Sequence, residues 1–139
     1  MFEILNNRYK YLSIINLSEM YLQPLFKNEF KFEDRLAEAR RVLNNYPDRI
    51  PIICERSTTA RVDCPIIDKR KYLVPRDLTI GQFLYVIRKR LQLHPEKALF
   101  LFINGTIPST TSLINDAYNI HKDMDGYLYI SYCQENTFG

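Results

Sequence analysis

KYLVPRDLTIGQFLYVIRKRL, residues 71–91, is the stretch on which the fold turns. Lys71-Tyr72-Leu73-Val74 reads as a strand, and Pro75 ends it because it has no amide to donate. Alternation along that strand places Tyr72 and Val74 on one side and Lys71 and Leu73 on the other. Thr79 followed three residues later by Gln82 is a capping box, which starts a helix by satisfying backbone amides at both positions. Ile80, Phe83, Leu84, Ile87 and Leu91 then make an apolar helical stripe running to about Gln92. Arg88, Lys89 and Arg90 sit at its C-terminal end, where the helix dipole favours cations. His94-Pro95 closes it.

Upstream, Phe32, Leu36, Ala39 and Leu43 recur at helical spacing and predict a helix with that face inward. Tyr46-Pro47-Asp48 ends it. Ile50-Pro51-Ile52-Ile53-Cys54 is a β-type run, expected to begin at Pro51 or to expose an edge there. Arg56 to Asp68 is a polar, hairpin-like connection. Downstream, Ala98 to Ile103 predicts a central strand, with a turn at Asn104-Gly105. Thr111 to Asn119 predicts a short helix, Asp125-Gly126 a turn and Tyr127 to Cys133 the last strand; Gln134 to Gly139 is a loose tail. A hairpin, a helix across it and further strands make an α+β fold with one sheet face covered. A ubiquitin-like β-grasp fits this order, with other α+β folds as rivals.

The 139 residues suit one domain, and 46% hydrophobic with 25% charged residues is a globular composition. The four glycines argue against a phosphate-cradling loop. Charge is uneven. Seven basic residues stand against Asp77 between Lys69 and Arg90, whereas one lysine stands against four acids from Asp116 onward. A basic middle surface and a mildly acidic C-terminal one are expected. Cys54, Cys64 and Cys133 show no metal-ligand spacing, so buried free thiols in a reducing compartment are expected, with no metal and no cofactor. No apolar run reaches membrane-span length and no signal-peptide pattern opens the chain, which points to the cytoplasm. No nucleophile–base pair is evident, so an enzyme is not expected. The basic stretch lacks an aromatic-basic RNA motif, so no nucleic-acid partner is expected either.

Lys71 to Pro75, Asp77 to Phe83 and Ile87 to Arg90 closely resemble the autophagy ubiquitin-like modifiers, the autophagy-related protein eight family that includes GABARAP and microtubule-associated protein light chain three. Tyr46 to Pro51, Leu99 to Phe102, Gly126 to Tyr129 and the ending Phe138-Gly139 agree in order and spacing. The resemblance runs from about Lys27 to Gly139. It implies a ubiquitin-like domain over 27–139, with N-terminal helices packed on the β-grasp and a flexible tail from about residue 134. Residues 1–26 are left as an N-terminal extension, helical or disordered.

The resemblance implies a modifier whose terminal Gly139 is activated, passed to a conjugating enzyme and joined to phosphatidylethanolamine on autophagosomal or related membranes. A processing and deconjugating cysteine protease is a further implied partner. Phe138 is the side-chain anchor of the tail that the resemblance implies, and a terminal residue without Cβ suits a narrow enzyme channel. Whether Gly139 is encoded last or left by trimming stays open. The resemblance also implies capture of receptor and adaptor peptides of aromatic-x-x-aliphatic form. Glu38, Val42, Pro51, Ile53, Lys71, Leu73 and Tyr127 are the implied aromatic pocket. Tyr72, Val74, Pro75, Leu78, Phe83, Val86 and Arg90 are the implied aliphatic pocket. Arg49, Lys69 and Lys71, with Arg90, would receive acidic flanks. An extended peptide would gain main-chain bonds on the open strand edge. Filling each pocket contributes about 1.5–3 kcal/mol, so micromolar binding, about −8 kcal/mol, is expected.

Three departures from the family pattern stand out: Val86 for the usual leucine, Tyr127 for the usual phenylalanine, and the added charge of Arg76. The plainer reading of residues 1–26 is a simple extension. The sharper one is a membrane-touching or self-binding segment, since Phe2-Glu3-Ile4-Leu5 and Tyr9-Lys10-Tyr11-Leu12 have the aromatic-x-x-aliphatic form. The alternatives to a lipid-conjugated modifier are a non-conjugated peptide-binding adaptor in membrane trafficking or microtubule association, and a modifier joined to protein lysines.

Overall fold

The computed structural model describes residues 2–4, 24–61 and 63–134. In chain order the elements are β1 (Glu3–Ile4), α1 (Phe26–Glu29), α2 (Phe32–Asn45), β2 (Arg49–Arg56), β3 (Lys71–Pro75), α3 (Ile80–Leu91), β4 (Phe100–Phe102), α4 (Ile114–His121) and β5 (Leu128–Cys133). The sheet order is β1-β3-β2-β5-β4. β2 and β3 form the antiparallel hairpin, β2 and β5 run parallel at the centre, and β4 lies antiparallel on β5. This is the expected α+β β-grasp arrangement.

The capping box is present in full. The Gln82 amide donates to Thr79 Oγ1 at 3.1 Å and the Thr79 amide to Gln82 Oε1 at 2.9 Å. From there α3 lays Ile80, Phe83, Val86 and Ile87 against Ile50, Ile52, Tyr72, Val74, Leu128 and Ile130, which form the main core. Cys54, Cys64 and Cys133 are buried free thiols, as expected. The connection between β2 and β3 is not wholly polar in its packing. Cys64 and Ile67 join the core, and Tyr132 ties the loop down by accepting from the Ile67 amide and donating to the Pro65 carbonyl, each at 2.8 Å.

Four expectations are corrected. Both sheet faces are covered, because α1 and α2 pack Phe26 and Ala39 on the face that carries Ile53 and Tyr127. The inward face of α2 is Arg35, Ala39 and Val42, while Phe32 is exposed. Ala39 is buried as expected and Leu36 and Leu43 are half-buried; the departures are Phe32 and Arg35, whose guanidinium finds a buried carboxylate. The strand expected at the centre is a three-residue edge strand, β4.

Pro51 is the fourth. It stands third in a central strand that begins at Arg49. The Cys54 amide donates to the Arg70 carbonyl at 2.8 Å. Amides alternate sides along a strand, so the Pro51 nitrogen faces β5. The β2–β5 ladder starts only at Ile52 and Leu128. The missing donor therefore falls just beyond the ladder's end.

Candidate functional site

The outer side of β3 borders an aromatic cluster built by three separate segments. β3 contributes Lys71. The turn into β5 contributes Tyr127, fully buried. α1 brings Phe26, whose ring meets Tyr127 edge-on at 5.4 Å. α1 is only four residues long, and Leu25 supplies no side-chain cap. Glu55 of β2 acts instead, its Oε2 accepting the Phe26 amide at 2.9 Å. Arg70 holds the other side of this junction. It pairs with Glu29, donates to the Pro24 carbonyl at 2.9 Å and lies 3.6 Å from Glu55 Oε2. Burial raises the Glu55 carboxyl above its usual range, with the Phe26 amide and Arg70 opposing.

One carboxylate oxygen organises the cluster. Glu38 Oε1, on α2, accepts Lys71 Nζ at 2.8 Å and also the Tyr127 hydroxyl. Burial alone would raise the Glu38 carboxyl; the bonds from Lys71 and Tyr127 outweigh it and hold the group below its usual range. Burial and the bond to Glu38 push the Tyr127 phenol well up. The Lys71 ammonium lies over the rings of Phe26 and Phe30, at 5.2 and 5.5 Å from their centroids. A cation on aromatic faces beside a carboxylate is chemistry that suits an aromatic ring with a neighbouring acidic group. A small cavity of about 50 Å³ lies between Phe26, Phe30, Asp34, Arg35, Glu38 and Lys71.

A family model described as "Autophagy protein Atg8 ubiquitin like" matches residues 34–139. The chain belongs to the Atg8 family of ubiquitin-like autophagy proteins. It is 58% identical to autophagy-related protein 8 of Mycosarcoma maydis over 118 residues, which covers 85% of this chain and 98% of that one. Among solved structures it is similar to Trypanosoma brucei ATG8, with 44% identity, a TM-score of 0.76, and coverage of 84% of this chain and 99% of the other. It is also similar to Plasmodium falciparum Atg8 solved in complex with an Atg3 peptide, with 36% identity, a TM-score of 0.75, and coverage of 82% and 98%.

In this Atg8-family domain the residues of the implied aromatic pocket divide by depth. Ile53 and Tyr127 are fully buried, Val42, Pro51 and Leu73 are buried, and Glu38 and Lys71 are half-buried at the rim. Of the implied aliphatic pocket, Tyr72, Val74 and Phe83 are fully buried in the main core, with the Tyr72 and Phe83 rings 5.5 Å apart. Val86 and Arg90 are buried, while Pro75 and Leu78 are half-buried. Arg90 Nη2 lies 3.3 Å from Asp68 Oδ2, so its charge is engaged inside the protein. Arg49 is half-buried with Nη1 3.4 Å from the Leu73 carbonyl, and Lys69 is exposed. The basic middle stretch is thus not a bare cationic surface. Arg70, Lys71 and Arg90 face Glu29 and Glu55, Glu38, and Asp68. Phe138, Gly139 and Tyr9 to Leu12 lie outside the described residues.

The sequence reading missed Phe26 and Phe30 as members of the aromatic cluster. Their signal is an i, i+4 aromatic pair just before the predicted helix, which stacks two rings on one helical face; their centroids are 5.0 Å apart.

Proposed function

We propose that this Atg8-family protein is a modifier, not an enzyme, conjugated through Gly139 to phosphatidylethanolamine on autophagosomal or related membranes. It docks short aromatic-x-x-aliphatic segments of receptors and adaptors along β3. Its partners in this reading are the activating enzyme, an Atg3-type conjugating enzyme and a processing cysteine protease. The protein is cytoplasmic until lipidation moves it to the membrane. The observation that carries the docking reading is the edge of β3 beside a ring cluster whose rim bears Lys71 and Glu38. Main-chain pairing gives such an edge affinity, and the cluster adds selectivity for an aromatic residue. Family membership supports the conjugation reading, the family match running through Phe138 and Gly139. The Atg3 peptide held by the Plasmodium relative supports an equivalent partner here.

Reconstitution tests it. Activating enzyme, conjugating enzyme, ATP and phosphatidylethanolamine liposomes should convert the chain to a lipidated band, and Gly139→Ala should give none. Absence of product, in a tube where the trypanosome relative is converted, overturns the conjugation reading.

A further inference from the structure

We propose that the chain's own N-terminal segment is a ligand of the β3 edge in cis, competing there with incoming peptides. This inference rests on the reading of that edge as the peptide-docking site. β1 runs parallel to β3, with Glu3 opposite Tyr72 and Ile4 opposite Leu73. Cys54 and Arg70 are bonded across the hairpin, so the amides of Tyr72 and Val74 face β2 while those of Lys71 and Leu73 face outward. β1 therefore adds to the side that an external strand would use. The residue before it supplies the aromatic group. Phe2 is half-buried against the cluster of Phe26, Ala39, Ile53 and Tyr127. Its ring stacks on Tyr127 at 6.0 Å and 20°, and Lys71 Nζ lies 5.3 Å from its centroid.

Backbone addition and ring insertion are the two halves of strand-type peptide recognition, and one short segment makes both. Phe2-Glu3-Ile4-Leu5 also carries the aromatic-x-x-aliphatic pattern in sequence. This segment lies outside the family match, which begins at residue 34, so the device belongs to this chain and not to the shared domain. Both ends of the intervening stretch are anchored near the start of β3. Pro24 is held by Arg70, and Ile4 stands opposite Leu73. A tether of about twenty residues that can span its sites keeps a segment at an effective concentration on the order of millimolar. A weak contact is then well populated, and the apparent affinity for a competitor falls by the fraction of molecules with the edge open.

The test uses the full chain and a fluorescein-labelled synthetic peptide with a Trp-x-x-Leu core and acidic flanks. Phe2→Ala should bind this probe about 2–10-fold more tightly than the unaltered chain. Glu3→Pro, which removes the β1 amide that faces β3 while keeping the ring, should also bind more tightly. Hydrogen exchange at the Leu73 amide, which faces the Glu3 carbonyl, should be slow in the unaltered chain, faster in both variants, and unchanged on dilution. Equal probe affinity in all three proteins overturns the inference and leaves the docking reading standing. If the probe binds none of them, the docking reading falls and competition at that edge falls with it. Protection of Leu73 that disappears on dilution overturns occupancy in cis, because the occupant is then a second copy.

Discussion

Arg35 Nη1 lies 2.6 Å from Asp125 Oδ2, joining α2 to the turn before β5 across most of the chain. The Asp125 side chain is fully buried. Its other oxygen accepts the Tyr127 amide at 2.9 Å, and the Tyr129 hydroxyl donates to the same oxygen that Arg35 meets. The pair thus fixes the helix that carries Glu38 relative to the turn that carries Tyr127.

Removing one member of this pair leaves the other charge buried and alone. Asp125→Ala or Arg35→Ala is expected to destabilise the fold by about 3–5 kcal/mol, read from denaturant midpoints. Substituting both by apolar residues of similar volume should recover much of the loss. A loss below about 1 kcal/mol for either single variant would place the pair at the surface in effect.

Glu38 gives a pH signature. Its carboxyl is held below the ordinary value of 4.5 despite burial, by Lys71 and Tyr127. A depressed folded-state value means the stabilisation is fully present above that ordinary value and is lost as pH falls through the folded one. Stability of the unaltered chain relative to Glu38→Gln should therefore be flat above about 4.5 and decline below it. A difference that grows on acidification would contradict the geometry.

Phe83 is fully buried and packs edge-on to Tyr72. Phe83→Ala should cost about 3–5 kcal/mol of stability through lost burial and the cavity left behind. Met124, 87% exposed, is the control; Met124→Ala should stay within about 0.5 kcal/mol. Weaker peptide binding by Phe83→Ala with unchanged stability would instead mark Phe83 as a contact residue with no packing role.

Gly126 carries φ +93°, and an added Cβ would sit 3.0 Å from the Ala39 Cβ. Gly105 has φ +76° with open space around it. Both Gly→Ala changes pay the left-handed penalty of about 1–2 kcal/mol. Gly126→Ala should lose more in thermal melts, because it also presses α2 away from the sheet. Equal losses would show that the helix yields without resistance.

How much of this was legible depended on the range of the interaction concerned. The capping box at Thr79 and Gln82, the Asn104-Gly105 turn and the strand of Lys71 to Pro75 are local, and they stand as read. The inward face of α2 was read in part: Ala39 is inside, but periodicity counts apolar residues, whereas Arg35 is drawn inside by an aspartate far along the chain. The edge position of β4 follows from pairing choices that no single strand encodes. Pro51 looked like a strand end because the offset between the β2–β3 and β2–β5 ladders is invisible in one strand. Phe26 and Phe30 eluded prediction for a related reason, since they join Lys71 and Tyr127 only in three dimensions.

Among the described residues, the sheet ends on strands of two and three residues, β1 and β4. Edges this short are poor templates for sheet-on-sheet growth. When β1 lifts away, the edge laid bare is five residues long, bounded by a lysine at one end and a proline at the other. Charge and a missing amide both discourage a second sheet from extending along it. On the proposed docking reading, the opened edge takes one short strand at a time, and opening it does not seed growth into a fibre.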